Sequence, residues 1–196
     1  AALAAVTDRL GLTGTINSTF NEPYEVARQF ASLDHLSDGR SAWNVVTSWD
    51  AFTGENFRRG GFLPQDERYS RAKEFLATAN ELFDSWRGDE IIADQATGTF
   101  LGDAKAGAFV HEGKHFDIHG RFNVPRSPQG RPVIFQAGDS EEGREFAASS
   151  ADAIFSRYAA LDTGQAFYTD VKSRLAKYGR RSDQLLILPA ASFVLG

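Results

Sequence analysis

The chain has 196 residues, 42% of them hydrophobic and 24% charged, with a formal net charge of −5 and neither cysteine nor methionine. That length and balance suit one large domain with a real core, and the acidic surplus argues against a nucleic-acid-binding face. The absence of cysteine excludes disulfides, thiolate metal ligands and cysteine nucleophiles.

No apolar run reaches bilayer length, and Ala1–Val6 lacks the basic leader of a signal peptide. A cytoplasmic location fits these features. With no methionine present, Ala1 is expected not to be the natural N-terminus.

In chain order the pattern alternates helix and strand. Residues 1–9 read as the end of a helix stopped by Gly11. Leu12 to Thr19 reads as a strand. Asn21 is placed to cap the next helix, Pro23 suits its first turn, and Val26, Ala27, Phe30 and Leu33 share one face. Gly39 ends that helix, and Ser41 to Ser48 is a second strand. Residues 49–65, with Gly54, Gly60, Gly61 and Pro64, form a loop. Ala72, Phe75, Leu76, Ala79, Leu82, Phe83 and Trp86 then recur at three- and four-residue steps, the strongest helix signal in the chain, closed by Gly88. Residues 89–130 are an excursion with one short hairpin near Phe109 to Ile118. Pro132 to Gln136 is a third strand and Glu141 to Ser149 a short helix. Ala153 to Ser156 is a fourth strand, a helix follows over 163–178, and Leu185 to Leu188 is a fifth strand. Strands separated by helices imply an α/β fold with a parallel sheet, closed into a barrel or left open.

Ligands of parallel α/β folds bind at the carboxyl ends of strands, which points to Thr15 to Thr19, Asn44 to Trp49, Gln136 to Ser140 and Ser156 to Tyr158. Most of these are polar or small and form no acid–base pair, so they suit holding a polar cofactor. In Gln136-Ala137-Gly138-Asp139-Ser140-Glu141-Glu142-Gly143 a strand meets a glycine turn and then a helix. Free N–H groups there favour a phosphate, and an ordinary capped helix is the competing reading. Glu141 and Glu142 would repel an anion if they pointed inward. His111-Glu112-Gly113-Lys114-His115 matches H-E-x-x-H, but Gly113 and the alternating flanks place it in a hairpin, with Gly113-Lys114 as the turn, so no metal site is assigned. Glu at 142 breaks the G-x-S-x-G elbow begun by Gly138 and Ser140. Trp43, Trp49 and Phe52 are candidate walls for a flat or apolar ligand, with core packing the equal alternative for Trp43. His35 and His119 read as structural or surface histidines.

Several stretches combine into one resemblance: Leu33-Asp34-His35-Leu36-Ser37-Asp38-Gly39-Arg40, Trp43-Asn44-Val45-Val46-Thr47-Ser48, Asn56-Phe57, Glu67-Arg68-Tyr69, Arg126-Ser127-Pro128-Gln129-Gly130-Arg131-Pro132-Val133 and Gln136-Ala137-Gly138. Together they resemble the luciferase-like flavin monooxygenases, in the branch acting on nitrilotriacetate, EDTA, dibenzothiophene sulfone and long-chain alkanes. The resemblance runs over nearly all 196 residues.

It implies a (β/α)8 TIM barrel, of which this chain carries about the third to seventh strands. Residues 1–196 would then be a single barrel domain, incomplete at both ends, with 89–130 as an insertion. It also implies site roles. Thr15 lies beside the flavin ring, and Asn44 bonds the ring or ribityl chain with Ser48 nearby. Tyr69 helps hold the phosphate end, and Gly138, Asp139 and Ser140 cradle the phosphate. Asp139 stands where many relatives have a small residue, so its carboxylate must point away or be offset by Arg144.

The implied activity is two-component monooxygenation. An NAD(P)H:FMN reductase supplies reduced FMN, oxygen adds to it as a peroxide, and one oxygen atom passes to a small organic substrate. No catalytic base is assigned. A homo-oligomer is expected, with no nucleic acid or membrane partner. A deazaflavin-dependent hydride-transfer oxidoreductase of the same superfamily and a non-catalytic flavin-binding relative remain alternatives.

Overall fold

A computed structural model describes residues 1–48, 54–57, 63–158 and 160–191. In chain order its elements begin with helix α1 (Ala2–Val6), strand β1 (Leu12–Asn17), α2 (Pro23–Ser37), β2 (Ser41–Val46) and α3 (Gln65–Asp84). The short strands β3 (Ile91–Asp94), β4 (Thr99–Leu101), β5 (Ala108–Glu112) and β6 (Asp117–Arg121) follow. Then come β7 (Val133–Gln136), α4 (Glu141–Ser150), β8 (Ala153–Ser156), α5 (Leu161–Arg174) and β9 (Leu186–Pro189).

The main sheet has the order β1-β2-β7-β8-β9, and every pairing in it is parallel. Alternation along these strands sorts their side chains into two faces. Trp43, Val45, Ile134 and Ile154 are buried on one face, against Phe30 and Ala27 of α2, Phe75 and Ala79 of α3, Phe146 of α4 and Phe167 of α5. The other face carries Thr15, Asn44, Phe135, Phe155, Leu186 and Leu188. Of these, Phe155, Leu186 and Leu188 are exposed among the described residues. A parallel sheet is ordinarily covered on both faces.

The predicted strands and principal helices are all present, with several local differences. Asn21 does not cap α2. The N-cap is Glu22 with no side-chain bond, and Asn21 Nδ2 instead donates to Asn17 O at 2.8 Å. α3 ends at Asp84, before Trp86 and Gly88, and Trp86 Nε1 donates to Phe122 O at 2.8 Å. The excursion holds two antiparallel hairpins, β3–β4 and β5–β6. The first escapes the alternation pattern because Ala93 has φ 45° and the register shifts between Ile91 and Asp94. In the second, Glu112 pairs with Asp117, so the loop is 113–116, longer than a Gly113-Lys114 turn. Trp49, Phe52, Gly60 and Gly61 lie outside the described residues.

Trp43 belongs to the core. It is fully buried, lies 5.4 Å from Phe30 and 5.7 Å from Phe75 by ring centroid, and donates from Nε1 to Ile16 O at 3.1 Å. No helix among the described residues is long and apolar enough to cross a membrane.

Candidate functional site

The strands end at one rim, and a cavity of about 890 Å³ opens there. It is bounded by Val46 to Ser48 after β2, Arg68 and Tyr69 from α3, Gln136 to Ser140 after β7, and Ser156 and Arg157 after β8. Five of the seven predicted cofactor residues therefore converge: Ser48, Tyr69, Gly138, Asp139 and Ser140. Ser48 is held in a left-handed conformation (φ 40°), and its carbonyl accepts Arg68 Nη1 at 2.8 Å.

Thr15 and Asn44 do not line this cavity. They face each other across the β1–β2 register, with Asn44 Nδ2 donating to Thr15 Oγ1 at 3.2 Å. Asn44 precedes the cavity-lining Val46 by two residues on the same strand face, so it lies about 7 Å down the sheet from it. Asn44 Oδ1 is buried and accepts no hydrogen bond. Leaving such an acceptor unmet costs about 1–3 kcal/mol, the usual mark of a position awaiting a partner.

The loop after β7 is compact. Its two glycines, Gly138 and Gly143, are pressed together: a Cβ on Gly143 would meet Gly138 O at 2.8 Å, and one on Gly138 would meet Tyr69 Oη at 2.7 Å. Ser140 caps α4, its Oγ accepting Gly143 N–H at 3.1 Å. That bond uses an oxygen lone pair and leaves the hydroxyl proton free to donate. The N–H groups of Asp139, Ser140, Glu141 and Glu142 take no partner among the described residues. Unmatched amides, a spare hydroxyl and the positive end of a helix dipole are features that favour an anion.

The acidic residues around this loop are turned aside. Glu141 pairs with Arg174 at 2.7 Å, and Glu142 Oε2 accepts Gln65 Nε2 at 2.7 Å. The Asp139 carboxylate is offset by Arg157, which donates Nε at 3.1 Å and Nη2 at 2.9 Å. Arg144, expected in that role, supports the loop differently. Its Nε donates to the backbone oxygen of Asp139 at 2.9 Å while Nη1 pairs with Asp170 at 2.9 Å.

Sequence reasoning did not assign roles to Gln65, Arg68 or Arg157, which all line the cavity. Arg68 could have been found as the helical neighbour of Tyr69, and Arg157 as the first residue past β8.

The H-E-x-x-H residues do not share a helical face. His111 and Glu112 lie on β5, and His115 lies in the loop beyond. His111 Nδ1 meets Glu81 Oε2 at 2.8 Å, and His115 Nε2 meets Ser70 Oγ at 2.9 Å. Glu74 fastens this loop to α3 by accepting the N–H groups of His115 and Phe116, each at 2.8 Å. Burial acts to raise the Glu74 pKa, but those two bonds and His111 outweigh it and hold the carboxyl below its ordinary range.

The family model for luciferase-like monooxygenases matches residues 1–196. Nitrilotriacetate monooxygenase component A of Aminobacter aminovorans is 47% identical over 189 residues, covering 96% of this chain and 42% of that protein. The crystal structure of a long-chain alkane monooxygenase superposes with a TM-score of 0.92 at 39% identity, over 96% of this chain and 44% of that one. A riboflavin lyase crystallised with modified FMN and substrate riboflavin gives a TM-score of 0.91 at 36% identity, over 97% of this chain and 42% of that one. The chain spans about two-fifths of the length of the curated relatives it matches.

Proposed function

The chain belongs to the luciferase-like monooxygenase family, and from that premise we propose that it supplies the phosphate-gripping side of an FMN site in a two-component monooxygenase. Its five parallel strands are an arc of the luciferase-like TIM barrel. On this reading residues 1–196 belong to one barrel domain, with 89–130 as an insertion. The uncovered sheet face bearing Thr15, Asn44 and Phe155 is the barrel interior.

One observation carries the reading. At the strand ends, residues 139–142, running into α4, hold four backbone N–H groups and a serine hydroxyl proton that nothing in the described fold uses. Two further features support it. A buried, unpartnered Asn44 Oδ1 sits on the inner face, and Gly138 and Gly143 leave no room for a side chain between loop and helix.

These residues divide the binding work. Asp139 and Ser140, with the amides of Glu141 and Glu142, hold the phosphate. Tyr69 and Arg68 close its other side, the arginine adding positive charge. Asn44 and Thr15 orient the ring and ribityl chain from the inner face, with Ser48 at the rim. FMN, reduced by a separate NAD(P)H:FMN reductase, supplies the redox chemistry that passes one oxygen atom of O2 to a small organic substrate. The protein's part is to position the flavin and keep water from it. We place the working enzyme in the cytoplasm as a homo-oligomer.

The test is anaerobic titration of the full-length protein with reduced FMN, reduced riboflavin and a reduced deazaflavin cofactor. Tight binding of FMN, weaker binding of riboflavin, and O2-dependent substrate oxidation support the proposal. Equal affinity for FMN and riboflavin removes the phosphate site. Binding of the deazaflavin alone substitutes hydride transfer for oxygenation.

A further inference from the structure

We propose that Gln136 is the positioning residue that sets discrimination between a flavin phosphomonoester and the bare ribityl alcohol. The inference rests on the FMN reading above and assigns to it a residue at the cavity's edge that acts through the backbone of the loop.

Gln136 is the last residue of β7. Its side chain is 3% exposed and turned to the helix side of the sheet. There its Oε1 accepts two consecutive backbone N–H groups, those of Ala137 and Gly138, the latter at 2.6 Å. In a strand-to-helix turn these amides would otherwise be free donors competing for an anion. A single side-chain carbonyl claims both.

The consequence is geometric. With the amides of residues 137 and 138 pulled toward the helix layer, the Gly138 backbone is seated against Gly143, where a Cβ would approach Gly138 C and O to 2.8 Å. The amides left unclaimed in this stretch are then those of residues 139–142, of which Asp139 and Ser140 line the cavity. Gln136 thus selects which donors meet a ligand. It gathers them at the dipole end of α4, where a terminal phosphate gains most and a neutral hydroxyl gains little.

The residue type follows from this task. The acceptor must be neutral and must reach two amides from a buried position. A methionine has nearly the same shape and no comparable acceptor, so both amides are released. A glutamate accepts both but sets a negative charge beneath the phosphate.

The experiment measures equilibrium dissociation constants for FMN and riboflavin by flavin fluorescence on the full-length protein, in wild type, Gln136→Met and Gln136→Asn. The readout is the ratio of the two constants, which a general loss of structure does not move selectively. Wild type is expected to prefer FMN. Gln136→Met is expected to lower that preference about ten-fold with riboflavin binding unchanged. If wild type shows no preference, the FMN reading itself fails. If wild type prefers FMN and Gln136→Met retains the preference, the role of Gln136 is overturned. Should Gln136→Met fail to fold, Gln136→Asn decides. Its shorter, neutral side chain cannot reach both amides, so its FMN preference must fall while riboflavin binding holds; an unchanged preference overturns the proposal.

Discussion

The two ends of the parallel sheet use the same materials for opposite purposes. At the amino ends of the strands, Asp34, Arg40 and Arg180 are each matched several times over. Asp34 is fully buried and accepts Ser41 Oγ at 2.9 Å, Ser41 N–H at 3.3 Å, Gln129 N–H at 2.9 Å and Gln129 Nε2 at 2.5 Å. Arg40 donates to the carbonyls of Ala4, Thr7, Leu10 and Ser37, and Arg180 to those of Ala147, Ala148, Ala151 and Gln184. Three of the carbonyls held by Arg180 belong to the last turn of α4 and the residue beyond it, where helices leave acceptors unmet. At the carboxyl ends, residues 139–142 leading into the same helix have amides unmatched among the described residues, and farther down the inner face Asn44 Oδ1 accepts no hydrogen bond. Stability is built where the hydrogen bonds close, and the binding site proposed above lies where they are left open.

That contrast can be broken most forcefully at Asp34. Replacing it with alanine leaves several buried donors without an acceptor, which is expected to cost about 3 kcal/mol of unfolding free energy. Denaturant unfolding of the full-length protein measures this, and flavin titration of the folded fraction should find FMN affinity unaltered. An affinity loss matching the stability loss would tie the two ends together and sink the comparison. Acid adds a second check. Burial acts to raise the Asp34 pKa, but hydrogen bonds from Gln129, Ser127 and Ser41 prevail and hold it below its ordinary range. Its contribution is therefore complete above the unfolded value and is lost as pH falls through the lowered folded one, a dependence that Asp34→Asn should lack.

The two ends also differ in how far they could be read from sequence. The α3 core stripe of Ala72, Phe75, Leu76, Ala79, Leu82 and Phe83 is local periodicity, and all six residues are buried as the spacing requires. The Ser140 cap is likewise local, closing onto Gly143 three residues on. What stayed hidden depends on chain segments meeting through the fold. Asp34 and Gln129 lie 95 positions apart. Their two motifs, which carried the family resemblance, turn out to meet each other in one buried network. The orientation of Asp139 was equally illegible, because its partner Arg157 is 18 residues away and reaches it only once β7 pairs with β8. The first hairpin was lost for a local reason, the left-handed Ala93 that interrupts alternation.

An intermediate effect is expected at Ser140, where the closed and open halves of the account meet in one side chain. Its oxygen caps the helix and its proton is offered outward. Ser140→Ala removes both, costing about 1 kcal/mol of stability through the lost cap and about ten-fold in FMN affinity. Ser140→Asp keeps an acceptor for Gly143 N–H but brings a negative charge to the phosphate. Stability should therefore run wild type equal to Asp and above Ala, while affinity runs wild type, Ala, Asp. If the two orders coincide, Ser140 acts on the ligand only through the fold.

The smallest effect expected is at Asp139, and it tests whether the charge at the rim is balanced. The Asp139–Arg157 pair is bidentate, but the arginine side chain is 81% exposed, so water and salt weaken its hold. The carboxylate is thus neutralised only in part, and it stands next to the amides offered to the phosphate. Asp139→Asn removes that residual repulsion and frees Arg157, which already lines the cavity, to face an anion. FMN affinity should rise about two- to five-fold at low ionic strength, and the gain should shrink as salt is added, because both groups lie within a screening length of solvent. Riboflavin affinity should not change. A loss of FMN binding in Asp139→Asn would mean that the pair holds the loop in shape more than it burdens the site with charge, and that this part of the rim follows the closed logic of the opposite end.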